Sequence, residues 1–246
     1  MMKSIGEKMR QTIRSLTPEL LLAFYRSART KLRWLIFPIR NRFVAKKYKK
    51  LIIARFGELD TKSNIGTVID IGANIGDFSH ACRLLGFDVI AIEPHPDAVR
   101  NLRKRFKNDP KVRIFEFAIS DSEEEGSLYF HQNHKLDPIH TSISATTISD
   151  KFKQNLFEVN VIQKKLLTIL DGGTFALIKV DIEGSEFKLV DDLISSSPQI
   201  HRLLIEKHER FMSLSKDGPN YREKMSQLED FIRRANLGDR WLLDWI

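Results

Sequence analysis

The chain has 246 residues, 42% of them hydrophobic and 29% charged, which is the profile of a globular protein able to bury a full-sized core. Its net charge of +8 is unevenly placed: residues 1–50 carry 14 basic and 2 acidic side chains, leaving 26 basic and 30 acidic in residues 51–246. A single cysteine, Cys82, excludes an internal disulfide and a cysteine-built zinc cage and fits a reducing, cytoplasmic setting, and no apolar run approaches the roughly 18–20 residues of a membrane span.

Thr17-Pro18-Glu19 reads as a helix start: an N-cap hydroxyl, a proline at the first helical position and an acid in the first turn. That helix is expected to run to about Phe37, where Pro38 interrupts it before a second basic segment, IRNRFVAKKYKKLIIARF. Residues 1–60 are therefore assigned as a basic helical extension and residues 61–246 as the main domain. In the extension Leu, Phe and Trp are interleaved with Arg and Lys. Such a pattern suits peripheral contact with an anionic membrane, and equally a helical pair packed on the body with its basic face in water.

From Thr67 onward short apolar runs alternate with helical stretches. TVIDIG is a buried strand, NIGDFSHACRLLG a helix ending at Gly86, and DVIAIE a second strand. A helix opened by Pro94 and Pro96 runs through DAVRNLRKRF, and VRIFEFAI is expected as a third strand. SDSEEEGSLYF reads as a turn and a hairpin arm, FALIKVDIEG as a strand ending in acids, SEFKLVDDLI as a helix and HRLLIEKHE as a strand. Strands alternating with helices specify right-handed crossovers, hence a doubly wound, mostly parallel α/β sheet with ligands bound beyond the carboxyl ends of its strands.

The sharpest motif is VIDIGANIGDFS, residues 68–79, in which a buried strand runs into Gly72 and Gly76 and then a helix. The glycines permit a tight turn and bring bare backbone against a ligand, and helix-start amides favour an anionic group. Glu93 closes the next strand 21 residues after Gly72, where its carboxylate can accept both hydroxyls of a ribose. The spacing Gly72-Ala73-Asn74-Ile75-Gly76 departs from the GxGxxG of dinucleotide sites. Asp70 adds a carboxylate that would repel a pyrophosphate and welcome an aminoacyl ammonium. These features favour S-adenosylmethionine over NAD.

With VIDIGANIG, AIEPHP, FAISDSEEEGSLYF, LLTILD, LIKVDIEGSE and LLIEKH in that order over about residues 65–210, the sequence resembles the FkbM family of S-adenosylmethionine-dependent methyltransferases. The resemblance implies a class I, Rossmann-like methyltransferase fold. It places Asp70, Gly72, Asn74 and Gly76 at the methionine end of the cofactor, Glu93 on the ribose, and Ala118 and Ser120 beside the adenine. Asp181 would face the methyl group and acceptor, with Glu183 and Gly184 completing that loop. Phe117 stands where relatives often carry a small or amide residue, and LLTIL is a loose match.

Independently of any family, Lys179, Asp181 and Glu183 alternate with Val180 and Ile182, so three ionisable groups share one side of a strand end. Unpaired charges are costly to bury, so packing alone rarely produces such a cluster. Gly184 and Ser185 are expected to turn the chain into a helix capped by the serine. An aliphatic hydroxyl needs help to lose its proton during methyl transfer. Asp181 is the first candidate base, His208 the second and His140 the third, with Glu183 beside them. No metal is assigned, although Glu206 and His208 with Asp181 and Glu183 form an alternative oxygen-and-imidazole site. The run HQNHKLDPIH, residues 131–140, is read as a polar acceptor loop, and Cys82 as a small buried apolar residue.

The expectation is an O-methyltransferase acting on a sugar, glycan precursor or other polyhydroxylated metabolite. Two alternatives are an RNA methyltransferase that grips phosphates with its basic arm and a non-catalytic scaffold docked to a partner or membrane. The mildly acidic body gives nucleic acid little to hold. Oligomeric state is left open.

Overall fold

In the computed structural model the chain divides into two units, Met1–Phe43 and Val44–Ile246. The structure describes residues 45–54, 66–131, 145–150 and 156–244, all within the second unit. The helix expected from Pro18, His134, Asp137 and His140 lie outside the described residues.

The first described element is a helix over residues 45–54, α1. Ala45 and Ile52 are buried, Tyr48 and Leu51 pack beside them, and the Tyr48 ring meets Phe78 edge-on at 5.7 Å. The end of the basic segment, expected in the extension, thus supplies side chains to the hydrophobic core. Lys46, Lys47 and Lys50 face water.

Six strands form one sheet in the order β3-β2-β1-β7-β8-β9, and every pairing in it is parallel. They are β1 (Thr67–Ile71), β2 (Asp88–Ile92), β3 (Val112–Phe115), β7 (Phe175–Val180), β8 (Leu203–Ile205) and β9 (Trp241–Leu243). β1 sits near the middle, and Val68 to Ile71 are all buried, as continuous apolar runs in a doubly covered sheet should be. One layer of the core gathers Ile69, Ile71, Ile178, Val180 and Leu203, and the other Val68, Val89, Leu177 and Leu204, the period-two alternation that sends neighbours to opposite faces.

The helices covering the sheet follow the expected punctuation. α2 (Asp77–Leu84) begins after Gly76 in a left-handed conformation, with Asp77 in its first turn and Arg83 in its last. α3 (Pro96–Arg105) has proline at its start, and the His95 ring accepts the Asp97 amide as its cap. After β7 the chain makes a 3₁₀ turn, Glu186–Leu189, and then α5 (Val190–Ser195), preceded in sequence by the short α4 (Leu166–Leu170). α6 (Glu209–Met212) follows β8, and α7 (Gly218–Arg234) returns to β9. Among the described residues no helix is long and apolar enough to cross a membrane.

The single strand expected over VRIFEFAI is two. β3 stays on β2 as far as the hydrogen bond from the Glu93 amide to the Phe115 carbonyl. Glu116 then turns to solvent, where Arg103 pairs with it at 2.9 Å, and Phe117 turns into the core. β4 (Ala118–Ile119) thereby leaves the main sheet and joins a second one, ordered β4-β6-β5, with β6 (Leu156–Lys164) antiparallel to β5 (Glu125–His131). An exposed, ion-paired residue at this point interrupts the continuous buried run that one strand covered on both faces would need.

The helical packing of α1 yields a test. Ile52→Ala should lower the unfolding free energy of the full chain by about 2–4 kcal/mol in urea denaturation; a loss below about 0.5 kcal/mol would show that α1 does not belong to the core.

Candidate functional site

The carboxyl ends of β1, β2, β7 and β8 meet around the loop that follows β1. The amides of Gly72 and Ala73 both donate to the Ile92 carbonyl at 3.0 Å, and the Asp181 amide donates to the Ile71 carbonyl at 3.1 Å. Gly72 has φ of +74°, and a Cβ there would lie 1.8 Å from the Asp181 carbonyl oxygen. Only glycine fits, because two loops approach backbone to backbone. Gly76, also at positive φ, serves packing: a Cβ there would strike Leu102 and Phe106 at 2.7 Å, so the bare glycine lets α2 pack against the end of α3. At both glycines the missing side chain makes room for protein atoms, Asp181 at one and Leu102 with Phe106 at the other.

Asn74 is left-handed, at φ of 49°, which an Asx side chain tolerates better than most. Its Oδ1 accepts the Ile75 amide at 2.7 Å and its own amide donates to Glu93 Oε2 at 2.8 Å. Glu93 Oε1 accepts the His95 amide at 2.8 Å, so each carboxylate oxygen holds one backbone N–H and has a second lone pair to spare. Burial raises the Glu93 carboxyl, and these two amides only partly offset it, leaving it at about 7.

Asp70 is wholly buried. Its Oδ2 accepts the Ser79 hydroxyl at 2.6 Å, while Lys179 Nζ stands 3.3 Å from Oδ1 as an ion pair without hydrogen-bond geometry. The sequence-based expectation gave Asp70 an aminoacyl ammonium; here its cation is Lys179, supplied by the neighbouring strand through the Asp70–Lys179 register of β1 and β7. Lys179 also donates to the Gly72 carbonyl at 2.9 Å and lies 3.2 Å from Asp181 Oδ2. Burial disfavours its charge, but Asp181 and Asp70 outweigh that and hold the ammonium above the usual lysine range.

Asp181 is the more open carboxylate of this end, its side chain 26% exposed against 16% for Glu183. Glu183 is left-handed at φ of 59°, and its carbonyl accepts the Thr146 hydroxyl at 3.0 Å. Ser185 does not cap the following helix as expected; its hydroxyl pairs with that of Thr147 at 2.6 Å. The loop is closed instead by Glu186, whose Oε1 accepts the amides of Ile182 and Gly184.

The same Glu186 oxygen lies 2.9 Å from His208 Nδ1, and the Tyr221 hydroxyl accepts the His208 amide at 2.9 Å. Held from both sides, the ring presents Nε2 to Glu183 Oε2 at 3.6 Å and Asp181 Oδ1 at 4.0 Å. Burial pulls the imidazole down, but the Glu186 hydrogen bond and the charges of Glu186, Glu183 and Asp181 prevail and push it up to about 9. Glu206 is raised by burial and by Asp181. Donor atoms of Asp181, Glu206 and His208 lie within 4.8 Å of one another.

Ala118 and Ser120 sit at the β4 edge of the second sheet, both buried, with the Ser120 amide donating to the Lys164 carbonyl. That sheet is fastened to the site at two points. The His95 and Phe130 rings lie 4.8 Å apart, and Tyr129 pairs with Thr146, whose hydroxyl reaches the Glu183 carbonyl. Sequence reasoning missed Ser79, Thr146 and Tyr221 and the role of Glu186. Ser79 lies nine residues after Asp70, one helical turn beyond the glycine loop, and only the fold shows that it points back.

A parallel sheet with a glycine turn after β1 and a carboxylate closing β2 defines a Rossmann-like protein that takes an adenosine-type cofactor. Residues 70–239 match the Methyltransferase FkbM domain model, and the chain belongs to that family. The cofactor of this family is S-adenosylmethionine, and the residues present fit it: Glu93, just past β2, keeps an acceptor lone pair on each oxygen, and the partly exposed carboxylates of Asp181 and Glu183 suit a sulfonium.

No curated protein matches the chain. Among solved structures, a Pyrococcus horikoshii chain assigned as an RNA methyltransferase is 12% identical, with a TM-score of 0.32 over 65% of this chain and 56% of its own. Yeast methylglyoxal/isovaleraldehyde reductase Gre2 with NADPH is 12% identical, at 0.35 over 72% and 56%. The Podospora anserina methyltransferase PaMTH1 bound to SAH is 14% identical, at 0.34 over 79% and 78%. The chain spans little more than half the length of the first two, and likenesses this loose carry no argument about its chemistry.

The His208 environment makes a test. Because the folded chain holds the imidazole proton more tightly than the unfolded chain, the stability this contributes is full below about 6.5 and is lost as pH rises through about 9. In metal-free buffer the His208 ring protons should titrate by NMR with a midpoint near 9, and Glu186→Gln should move that midpoint toward 6.5; an unchanged midpoint would remove Glu186 as the cause.

Proposed function

We propose that the protein is an S-adenosylmethionine-dependent methyltransferase whose acceptor is a hydroxyl on a sugar or another polyhydroxylated metabolite. The observation that carries this reading is the gathering of Glu206 and His208 at Asp181, with Glu183 beside the same ring, while the Asp181 backbone lies against Gly72 of the glycine loop. S-adenosylmethionine supplies, when bound, a methyl group on a sulfonium that an aligned nucleophile can take.

The chain's own residues would do the rest. The loop through Gly72, Asn74 and Gly76 shapes the methionine end, Glu93 accepts from ribose hydroxyls, and Ala118 and Ser120 border the adenine. Asp70 and Lys179 support the loop from beneath. At the other side Asp181 and Glu183 can accept hydrogen bonds from an acceptor with several hydroxyls, fixing one of them in line with the methyl group. Positioning of this kind can supply about 7–11 kcal/mol of the barrier.

With no cation beside it His208 holds its proton, pairs through Nδ1 with Glu186 and is a poor base. Asp181, more exposed than Glu183, is the group that receives the hydroxyl proton. A rim of carboxylates is also a poor seat for a nucleic-acid backbone, whose binding depends on neutralising phosphates.

Isothermal titration with S-adenosylhomocysteine and turnover against hydroxylated extracts, read as a mass gain of one CH₂, test the reading together. Glu93→Ala should weaken cofactor binding at least about tenfold, whereas Asp181→Asn should leave binding intact and lower turnover about 10²–10⁴-fold. No binding by the native chain, or the opposite pattern in the two variants, would sink it.

A further inference from the structure

We infer that Asp181, Glu206 and His208 form a binding site for one divalent cation of the oxygen-preferring class, Mg²⁺ or Mn²⁺. The inference deepens the proposed function and rests on it only for the position of the acceptor.

The three residues come from different places in the fold. Asp181 ends β7, Glu206 ends the paired strand β8, and His208 stands two residues further on. Their donor atoms nonetheless lie within 4.8 Å of one another. Octahedral ligands about 2.1 Å from a shared ion are separated by about 3.0 Å when adjacent and about 4.2 Å when opposite. His208 Nε2 lies 4.0 Å from Asp181 Oδ1, outside hydrogen-bond reach and inside that range.

The histidine supplies the second, independent observation. It is 6% exposed, its Nδ1 is taken by Glu186 at 2.9 Å, and its Nε2 makes no hydrogen bond while aimed at the carboxylates. An imidazole fixed at one nitrogen by a buried carboxylate, with the other directed at open acids, is the arrangement that orients metal-bound histidines. Glu186 is held in turn by the amides of Ile182 and Gly184, so the ring's aim is set by backbone.

Two carboxylates and one imidazole leave further positions on an ion open, and a polyhydroxylated acceptor has vicinal oxygens to fill them. A hydroxyl bound there loses its proton more readily, so less is asked of Asp181 as a base. Lys179 does not compete for the role, because its ammonium is engaged by Asp70, the Gly72 carbonyl and the other oxygen of Asp181.

The test is Mn²⁺ binding to the full chain after chelator treatment, by titration calorimetry and by loss of the free Mn²⁺ paramagnetic resonance signal, with S-adenosylhomocysteine titrated in parallel. One Mn²⁺ should bind with Kd below about 1 mM, and Glu206→Gln and His208→Gln should each weaken it about 10–100-fold. Circular dichroism must show both variants folded, and Asp181→Asn serves in place of either one that is not. Absence of Mn²⁺ binding by a chain that binds S-adenosylhomocysteine would overturn the cation site and leave the methyltransferase reading standing. Mn²⁺ binding lost in the variants, from a chain that ignores S-adenosylhomocysteine, would do the reverse. Native-like Mn²⁺ affinity in folded Glu206→Gln and His208→Gln would also overturn the site.

Discussion

The buried ammonium of Lys179 is the constraint on which the site's architecture depends. It lies between two strands that must stay adjacent, and it reaches Asp70 on one, Asp181 at the end of the other and the Gly72 carbonyl between them. Removing one partner from such a buried group typically costs about 3–5 kcal/mol, because the remaining charge is left without a counter-ion. The strand pairing of β1 and β7 is thereby reinforced at the end where the loops leave the sheet. The glycine loop cannot lift away from the Asp181 loop without separating those charges.

That link explains the division of labour among the acids. Asp70 and Glu186 face inward and hold other groups: the first holds Lys179 and Ser79, the second His208 and two backbone amides. Asp181, Glu183 and Glu206 remain partly open around the place where an acceptor would lie. Carboxylates of one type are thus sorted into scaffold and working surface by burial alone. The left-handed backbone at Glu183, costly for a residue with a side chain, survives because Thr146 and Glu186 fix the loop on either side of it.

The sheet and the order of its elements were legible because buried parallel strands carry an unbroken apolar signature and because glycine and proline mark their ends. Gly72, Glu93 and Asp181 could be placed from spacing alone, since each closes a strand of that sheet. Long-range partnerships could not. Nothing in SEFKL distinguishes Glu186 from an ordinary first-turn acid, and its bond to His208 spans 22 residues of sequence. The break in VRIFEFAI was hidden for a related reason. Both halves have strand character, and the choice between one sheet and two is made by β6, more than forty residues further along. At Gly72 and Gly76 packing within the protein and approach to a ligand call for the same absent side chain, so spacing could not separate the two.

The helix over residues 45–54 has a mechanical meaning. Its polar edge carries lysines, while Ile52 is lodged in the core and Tyr48 rests on Phe78, a residue of the helix that starts at the glycine loop. The basic segment therefore ends in a root and not in a tether. A load that reaches residue 45 is borne by the interior of the domain, one side chain away from the helix that follows the glycine turn.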